Sequence, residues 1–312
     1  MLTTEDLTKR YKSHVAVEGL NLHVRPGEIY GFLGPNGAGK TTTIHMLLNL
    51  TQPSSGKITL FDKPLAPGDF RFKQAIGVVA EEPAESTQMT GWEVVRFFAR
   101  LYGVESPADR MEALFHQLDL WDVRHGLARD YSRGMRQKLS LIRALVHEPK
   151  LLILDEPVSG LDPHGIRQVR ELISDYSQAG GTVFISSHIL SEIERSADRI
   201  GILHQGHLLI EDTLAGLRGR LTQQQKCMVE LEAIPEGLLN RLEHADYVLD
   251  FSREGRQINA TLGAEADARS RLSRLIAETG GVILKMQSED MSLEDAFVTI
   301  TSQNVGQLAG VA

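Results

Sequence analysis

The chain has little cysteine and no long hydrophobic run. Cys227 is the single cysteine among 312 residues, which excludes an internal disulfide framework and is typical of a reducing compartment. We interpret Cys227 as a core filler rather than a reactive thiol, because no candidate catalytic base stands near it in the sequence. The apolar runs, such as Leu151–Leu154, are far shorter than the roughly 18 residues that a membrane-spanning helix needs. Met1–Asp6 shows no secretory signal, so we expect contact with a membrane only through a partner.

Positive charge is also scarce. The 33 Lys and Arg residues are outnumbered by 41 Asp and Glu residues, which gives a formal net charge of -8. Without a long basic run, broad electrostatic attraction to nucleic acid is not expected, and no nucleic-acid partner is predicted. The hydrophobic content of 42% is ordinary for a soluble globular protein with a full core. We therefore expect a cytoplasmic protein.

The first 215 residues alternate strand-like and helical patterns, which predicts an α/β domain. Between residues 90 and 147 the pattern is wholly helical, so we predict a helical subdomain inserted before a central strand. The predicted strands are Ile29–Leu33, Ile76–Val79, Leu151–Leu154, Val183–Ser186 and Ile200–His204. The positions predicted to share helix faces are Val94, Val95, Phe97, Phe98 and Leu101, then Met111, Leu114, Phe115 and Leu118, and finally Leu139, Ile142, Leu145 and Val146.

The remaining third of the chain has a different order of elements. Gly206 is predicted to form the tip of a hairpin, and the polar segment 216–226 is predicted to be a linker. Residues 227–302 then read as strand 227–233, helix 236–243, strands 247–251 and 257–262, helix 264–278 and strand 282–287. This order is typical of a small ferredoxin-like α+β domain, followed by a short helix capped at Ser292 and a frayed end from Gln303. For this accessory domain we prefer contact between subunits over regulator binding or cargo recognition.

A phosphate-binding loop is the strongest motif. Residues 34–41 read Gly, four residues, then Gly-Lys-Thr, between a predicted strand and a predicted helix over Thr42–Leu50. Glycines let backbone N–H groups converge on phosphate oxygens, Lys40 is placed to reach the β- and γ-phosphates, and Thr41 to ligate Mg²⁺. A glycine-rich turn without a ligand is the disfavoured alternative, and the motif alone does not separate a kinase from a GTPase or a transporter. The residues expected to bind the nucleotide here are Gly34, Pro35, Asn36, Gly37, Ala38, Gly39, Lys40, Thr41 and Thr42.

Two carboxylates follow a buried strand. Asp155 and Glu156 come directly after Leu151–Leu154, where a strand of a parallel sheet emerges beside a ligand. We predict that Asp155 holds Mg²⁺ and that Glu156 polarises the attacking water as general base. A solvated pair of acids at a strand end is the alternative, which the upstream phosphate loop disfavours.

From this point the residues resemble the ABC ATPases. Residues 131–137, Tyr-Ser-Arg-Gly-Met-Arg-Gln, are similar to the family's signature motif Leu-Ser-Gly-Gly-Gln. They depart from it at Tyr131, Arg133 and Met135 and keep Ser132 and Gly134. Ser132 is also a good helix N-cap, which is the purely structural interpretation of the motif. The resemblance implies a P-loop NTPase fold of ABC ATPase type. It also implies a head-to-tail dimer in which Ser132 and Gly134 of one subunit complete the ATP site of the other.

Four more matches follow the family's order. The resemblance implies that Tyr11 stacks on adenine and that His188 is the switch residue for the γ-phosphate. Glu81 occupies the place of a glutamine that contacts Mg²⁺ and senses the membrane partner. A carboxylate there can still ligate Mg²⁺, although it departs from the glutamine of the family's pattern. Ser159–Asp162 resembles the loop that crosses the dimer interface.

The resemblance therefore implies an ATPase subunit that powers transport, with a lean to export, through a separate membrane permease. Lys40, Glu156 and His188 are the predicted catalytic residues, Mg²⁺ is the predicted cofactor, and the partner subunit is an identical or a similar chain. The expected location is the inner face of the cell membrane. The alternative from another class is an ABC ATPase that acts on nucleic acid or ribosomes, disfavoured by the acidic balance. A degenerate cassette that binds ATP without hydrolysis is disfavoured because the catalytic residues are present.

Overall fold

The computed structural model describes residues 1–81, 88–221, 225–263 and 267–290. The chain divides into two units, Met1–Asp212 and a second that begins at Thr213. The strands that lie in or begin in the first unit are β1 (Leu2–Tyr11), β2 (His14–Val24), β3 (Ile29–Leu33), β4 (Ser55–Leu60), β5 (Lys63–Pro64), β6 (Ile76–Val79), β7 (Leu151–Asp155), β8 (Thr182–Ser187), β9 (Arg199–His204) and β10 (His207–Thr213). Its helices are α1 (Lys40–Leu47), α2 (Gly91–Leu101), α3 (Ala108–Gln117), α4 (Arg133–Leu145), α5 (Pro163–Gln178) and α6 (Leu190–Ile193).

A six-stranded sheet with the order β10-β9-β3-β8-β7-β6 forms the centre of the first unit. The pairs β9–β3, β3–β8, β8–β7 and β7–β6 are parallel, and β3, β7 and β8 are buried along their full length, as expected for a parallel sheet covered on both faces. The α/β prediction is confirmed. One detail was wrong: β7, which follows the helical subdomain, lies next to edge strand β6, whereas β3 and β8 occupy the middle of the sheet.

A second sheet, with the order β2-β1-β4-β5, is antiparallel and was not predicted. Its strands carry exposed charged residues between buried ones, and register shifts interrupt the β1–β2 pairing between Thr4 and Leu7 and again near Lys9. These irregularities break the two-residue alternation by which a half-buried strand is found in a sequence. The buried residues of this sheet, including Leu2, Leu7, Leu20 and Ile58, share one hydrophobic core with Tyr30, Phe32 and Phe184 of the parallel sheet.

The inserted helical subdomain consists of α2, α3 and α4. Thr90 caps α2 with a complete capping box to Glu93, the arrangement in which side chain and backbone satisfy each other's free groups. The predicted apolar faces of α3 and α4 are buried as expected. The face predicted for α2 is wrong in part, because Val94 and Val95 are buried whereas Phe97 and Leu101 are 50% and 64% exposed. Because the pairs Val94-Val95 and Phe97-Phe98 are apolar on more than one side of the helix, the sequence pattern did not show which side faces the core.

The second unit contains α7 (Leu214–Leu221), β11 (Gln225–Leu231), α8 (Leu238–Glu243), β12 (Val248–Glu254), β13 (Gln257–Leu262), α9 (Ala268–Glu278) and β14 (Ile283–Asp290). Helix α7 occupies part of the segment predicted to be a linker. The last four strands lie in the antiparallel order β12-β13-β11-β14, which is the arrangement of a split β-α-β fold. The helix predicted after Ser292 and the end from Gln303 lie outside the described residues.

Cys227 lies in the hydrophobic core of the second unit, with Val229, Leu231 and Ile258. Burial raises the pKa of its thiol, which keeps it in the less reactive protonated form. Its placement agrees with the interpretation as a core filler. Among the described residues, no helix is both long and apolar enough to cross a bilayer.

His147 joins the end of α4 to β6. Its ring stacks on Tyr102 with a centroid distance of 3.8 Å, its Nε2 lies 3.2 Å from the Ile76 carbonyl, and its Nδ1 has no partner in the described part of the chain. Burial is the largest cause that lowers the pKa of His147. The folded protein therefore disfavours the protonated ring.

This depressed pKa predicts an acid-sensitive fold. Stability from neutral His147 is complete above the unfolded pKa of about 6.5 and is lost as the pH falls through the folded pKa, because the unfolded chain binds the proton first. We expect His147→Gln to reduce the slope of unfolding free energy against pH below 6.5 by at most one proton, about 1.4 kcal/mol per pH unit. Urea titrations between pH 8 and 5 measure this slope. The exposed His23 offers the control His23→Gln, and equal slopes for the wild type and His147→Gln would contradict the prediction.

Candidate functional site

Three neighbouring parallel strands end at the same edge of the central sheet. The pairing aligns Leu33 at the end of β3 with Ser187 of β8, and Ser186 of β8 with Asp155 of β7. In an open α/β sheet the crevice at the carboxyl ends of the strands is where ligands bind. The segments that follow these strands, residues 34–40, Glu156 and His188, are therefore brought together.

The phosphate loop fits closely between two backbone segments. A Cβ atom added to Gly34 would lie 2.4 Å from the Leu203 carbonyl oxygen, and one added to Gly39 would lie 2.4 Å from the Ala16 carbonyl oxygen. Gly39 also has a φ of 109°, which L side chains rarely adopt. The loop then enters α1, whose first N–H groups lack helical partners and favour an anion.

The tip of the β9–β10 hairpin braces this loop. Gly206 donates its N–H to the Ala38 carbonyl and accepts a hydrogen bond from the Glu18 N–H of β2. Gln205 and Gly206 both have positive φ, as expected of a tight hairpin turn. The predicted hairpin at Gly206 is confirmed, and it links the loop to β2.

Lys40 and Glu156 form a buried ion pair. The Lys40 Nζ lies 3.4 Å from the Glu156 Oε1, and both side chains are less than a tenth exposed. Lys40 also donates a hydrogen bond of 2.7 Å to the Gly34 carbonyl. A buried charge needs such partners, because water cannot solvate it. The two predicted catalytic residues are therefore in contact.

The backbone of Glu156 is in the left-handed region, with a φ of 50°. Its N–H donates to the backbone oxygen and the hydroxyl of Ser186, at 3.2 and 3.3 Å. Its Oε2 lies 2.9 Å from the Nδ1 of His188. Non-glycine residues held in this region are uncommon and concentrate at functional sites. The unusual conformation turns the carboxylate toward Lys40 and His188.

Asp155 faces the phosphate loop rather than solvent. The Thr41 hydroxyl donates a 3.0 Å hydrogen bond to its Oδ2, and the Ser186 hydroxyl donates to its Oδ1. Hydroxyl and carboxylate oxygens are the ligands that Mg²⁺ prefers, usually with substrate phosphates completing the shell. Within the described ranges, no cluster of three or more His, Cys, Asp or Glu side chains is arranged for a metal. This chemistry fits an ion that shares its ligands with a nucleotide.

A cavity of about 400 Å³ opens above these residues. Tyr11 and Glu81 line this cavity together with the phosphate loop and Glu156, although these residues are far apart in the sequence. His188 is not among the described lining residues, but its Nδ1 contacts Glu156, which is. The lining residues are Tyr11, His14, Ala16, Pro35, Asn36, Gly37, Gly39, Lys40, Thr41, Thr42, Glu81 and Glu156.

Ser132 and Gly134 are absent from the described lining of this cavity. Ser132 caps α4 by accepting a hydrogen bond from the Met135 N–H at 3.2 Å, which is the structural role considered above. The Arg133 guanidinium donates a hydrogen bond of 2.9 Å to the Ser159 hydroxyl in the neighbouring loop. The side chain of Asp162, at the end of that loop, caps α5. The start of α4 and the Ser159–Asp162 loop are thus fastened together.

Sequence reasoning assigned no role to three residues of the site. Ser186 bonds to Asp155 and to the Glu156 N–H, and His14 and Ala16 line the cavity. The position of Ser186 beside Asp155 follows from strand pairing, which two separate apolar runs do not reveal. His14 and Ala16 belong to the strand β2 that was not predicted.

Residues 17–159 match the family described as ABC transporter. The chain is 38% identical to the Bacitracin transport ATP-binding protein BcrA of Bacillus licheniformis over 96% of its length and 97% of that protein. It is 33% identical to the Fluoroquinolones export ATP-binding protein of Mycobacterium tuberculosis, over 98% of its length and 94% of that protein. A solved structure of an ATP-binding subunit of an ABC transporter superposes with a TM-score of 0.67 at 31% identity, over 70% of this chain and 92% of that chain.

The close approach of Gly39 to the Ala16 carbonyl oxygen predicts that a larger residue at this position lowers the affinity for ATP. We expect Gly39→Ala to weaken ATP binding about tenfold or more, because the added methyl group would displace the loop that contacts the phosphates. A tenfold loss of affinity corresponds to about 1.4 kcal/mol of binding free energy. Gly180→Ala is the matched control, since Gly180 also has a positive φ but an added Cβ meets nothing within 4 Å. Both variants lose about 1–3 kcal/mol from backbone strain, measurable by urea unfolding. Calorimetric titration with ATP should separate them, and equal affinities would contradict the steric argument.

Proposed function

This chain belongs to the ABC transporter family as an ATP-binding subunit, and we propose that it drives export as one half of an ATP-closed dimer. Such subunits hydrolyse ATP to power transport through a membrane permease, so the chain is an ATPase. The observation that carries this function is the contact of Glu156 with both Lys40 and His188 beside the cavity formed by the phosphate loop.

The proposed reaction is attack of water on the γ-phosphate. Glu156 accepts a proton from the water as general base, and His188 orients the Glu156 carboxylate through its 2.9 Å contact. Lys40 binds the β- and γ-phosphate oxygens, supported by the N-terminus of α1 and the loop N–H groups. Tyr11 stacks on the adenine. Thr41, Asp155 and Glu81 would hold Mg²⁺, which when bound neutralises phosphate charge.

A second subunit would supply Ser132 and Gly134. Both lie at the start of α4, where the free N–H groups and the helix dipole favour a phosphate. The described lining of the chain's own cavity does not include them, which agrees with the head-to-tail dimer that the family resemblance implies. The Arg133–Ser159 hydrogen bond would then move the start of α4 and the Ser159–Asp162 loop together across the interface. The partner is an identical or a similar chain.

Export is supported by the relatives. One is named for bacitracin transport and another for fluoroquinolone export, and both align over nearly the full chain. We infer that the cargo is a drug-like compound carried by a separate permease. The subunit would sit on the inner face of the cell membrane, docked near Glu81 and the helical subdomain. Action on nucleic acid or ribosomes finds no support in these names.

Purification in mild detergent tests whether the chain binds a separate membrane permease. We expect the tagged chain to retain a multispanning membrane protein, and to release it when the detergent disrupts the membrane complex. Retention of ribosomes or DNA instead, surviving high salt, would favour the alternative function.

Glu156→Gln tests the general base. The amide keeps the size of the side chain and an oxygen for Lys40, but it cannot accept a proton from water. We expect turnover to fall by about 10²- to 10⁴-fold, whereas ATP binding persists and the dimer becomes long-lived. Phosphate release and size-exclusion chromatography with MgATP measure the two effects. A native rate of hydrolysis would refute the assignment.

Gly134→Ala tests the site across the dimer. An added Cβ would lie 3.3 Å from Leu161 Cδ2 and 3.5 Å from the Gly160 carbonyl, so the subunit can accept it, and alanine favours a helix by about 1 kcal/mol over glycine. We expect unchanged or higher stability and unchanged ATP binding by the monomer, but at least about tenfold weaker ATP-dependent dimerisation, because the methyl group would block a phosphate. Sedimentation with and without ATP measures this. Dimerisation equal to the wild type would contradict the proposed interface.

A further inference from the structure

The two serines at the end of β8 point to different partners. Ser186 donates its hydroxyl to Asp155, on the side of the phosphate loop. Ser187, which is buried, donates its hydroxyl to the Glu192 Oε2 at 2.8 Å. His188 follows directly and contacts Glu156. The alternation of side chains along a strand thus places the two hydroxyls on either side of the backbone that carries His188.

Ser187 and Glu192 close a short loop around His188. The Ser187 hydroxyl accepts a hydrogen bond of 3.0 Å from the Ile189 N–H while donating to Glu192. The Glu192 N–H donates to the Ile189 carbonyl at 3.3 Å, at the start of α6. The residues on both sides of His188 are therefore held by one hydroxyl and one carboxylate. The imidazole itself is 44% exposed, so side-chain packing covers only part of it.

Glu192 occupies an unfavourable place for a carboxylate. Partial burial is the largest cause that raises its pKa, and the nearby charge of Glu156 raises it further, while the Ser187 hydroxyl acts in the opposite sense. A hydrogen bond to a charged group in such surroundings is stronger than one in water. Glu171, the one glutamate of α5, is exposed by contrast.

We propose that the hydrogen bond between Ser187 and Glu192 positions His188 against Glu156. We call this hydrogen bond the latch. Ser187 and Glu192 are positioning residues, because neither lines the described cavity nor contacts the reacting atoms. The inference rests on the roles proposed above for Glu156 and His188. Its physical basis is that a shift of about 1 Å in a catalytic group can reduce a rate by about 10²-fold. The latch holds the backbone from which the His188 ring extends toward Glu156.

Steady-state kinetics of the full chain test the latch. We expect Ser187→Ala and Glu192→Ala each to lower kcat for ATP about tenfold or more, because His188 loses its orientation. The KM for ATP should stay within about twofold, since neither residue lines the nucleotide cavity and loss of a transition-state interaction lowers kcat and kcat/KM equally. Glu171→Ala on α5 is the matched control and should leave both constants unchanged.

The conservative variant Glu192→Gln separates the hydrogen bond from the charge. Its amide oxygen still accepts from Ser187, so we expect kcat within about twofold of the wild type. The chain should be at least as stable at pH 8, because a buried charge that the fold disfavours is removed. The double variant Ser187→Ala/Glu192→Ala should lose no more activity than either single variant, because both changes break the same bond. Additive losses would overturn the latch.

Two further outcomes decide the inference. A kcat for Glu192→Ala within twofold of the wild type, in a chain with a normal urea midpoint, would overturn the latch. So would an equal loss in Glu192→Gln and Glu192→Ala, since the charge would then be the property that matters. If Glu192→Ala does not fold, Ser187→Ala and Glu192→Gln carry the test.

His188→Ala distinguishes failure of the latch from failure of the proposed function. If His188→Ala keeps the native rate, the role of His188 is wrong. If it loses turnover while the latch variants do not, only the latch is wrong.

Discussion

The parallel pairing of β3, β8 and β7 brings together the groups of the candidate site that follow these three strands. Register aligns Leu33 with Ser187 and Ser186 with Asp155, so the phosphate loop, the two carboxylates and His188 emerge at one edge. A slip of one residue would turn alternate side chains to the opposite face of the sheet. The burial of all three strands makes such a slip costly, because it would exchange the sets of side chains that pack against each face. The hydrophobic core therefore sets the positions of the polar groups.

Much of the central sheet was predictable because its strands are continuous apolar runs bounded by turns. The bounds of β3 and β6 agree with the prediction, and β7, β8 and β9 are longer by one or two residues. The antiparallel sheet was missed because its bulges and solvent-facing charges interrupt the alternation. In α2, the pairs Val94-Val95 and Phe97-Phe98 are apolar on both sides of the helix. Periodicity alone could not show that Phe97 faces outward.

The candidate site was predicted as a set of residues but not as a network. Motif spacing identified Lys40 and Glu156, the family resemblance identified His188, and the structure places Glu156 in contact with both of the others. The roles of these residues remain predictions, as does the contribution of Ser132 and Gly134 from a second subunit. Spacing could not reveal that Ser186 supports both Asp155 and Glu156, because that contact joins neighbouring strands. Nor could it reveal Glu192, which depends on how the chain turns after β8.

The left-handed backbone of Glu156 has a consequence for how this site can change. Glycine, asparagine and aspartate adopt that conformation with less strain than glutamate does. A replacement by one of these three residues would relieve the backbone, yet it would shorten or remove the carboxylate that pairs with the buried Lys40 and withdraw it from the reacting water. Backbone conformation and charge pairing thus favour different amino acids at one position. Even a subunit with no need to hydrolyse ATP would be under selection to keep an acid at this position, because the fold itself uses the charge to neutralise Lys40.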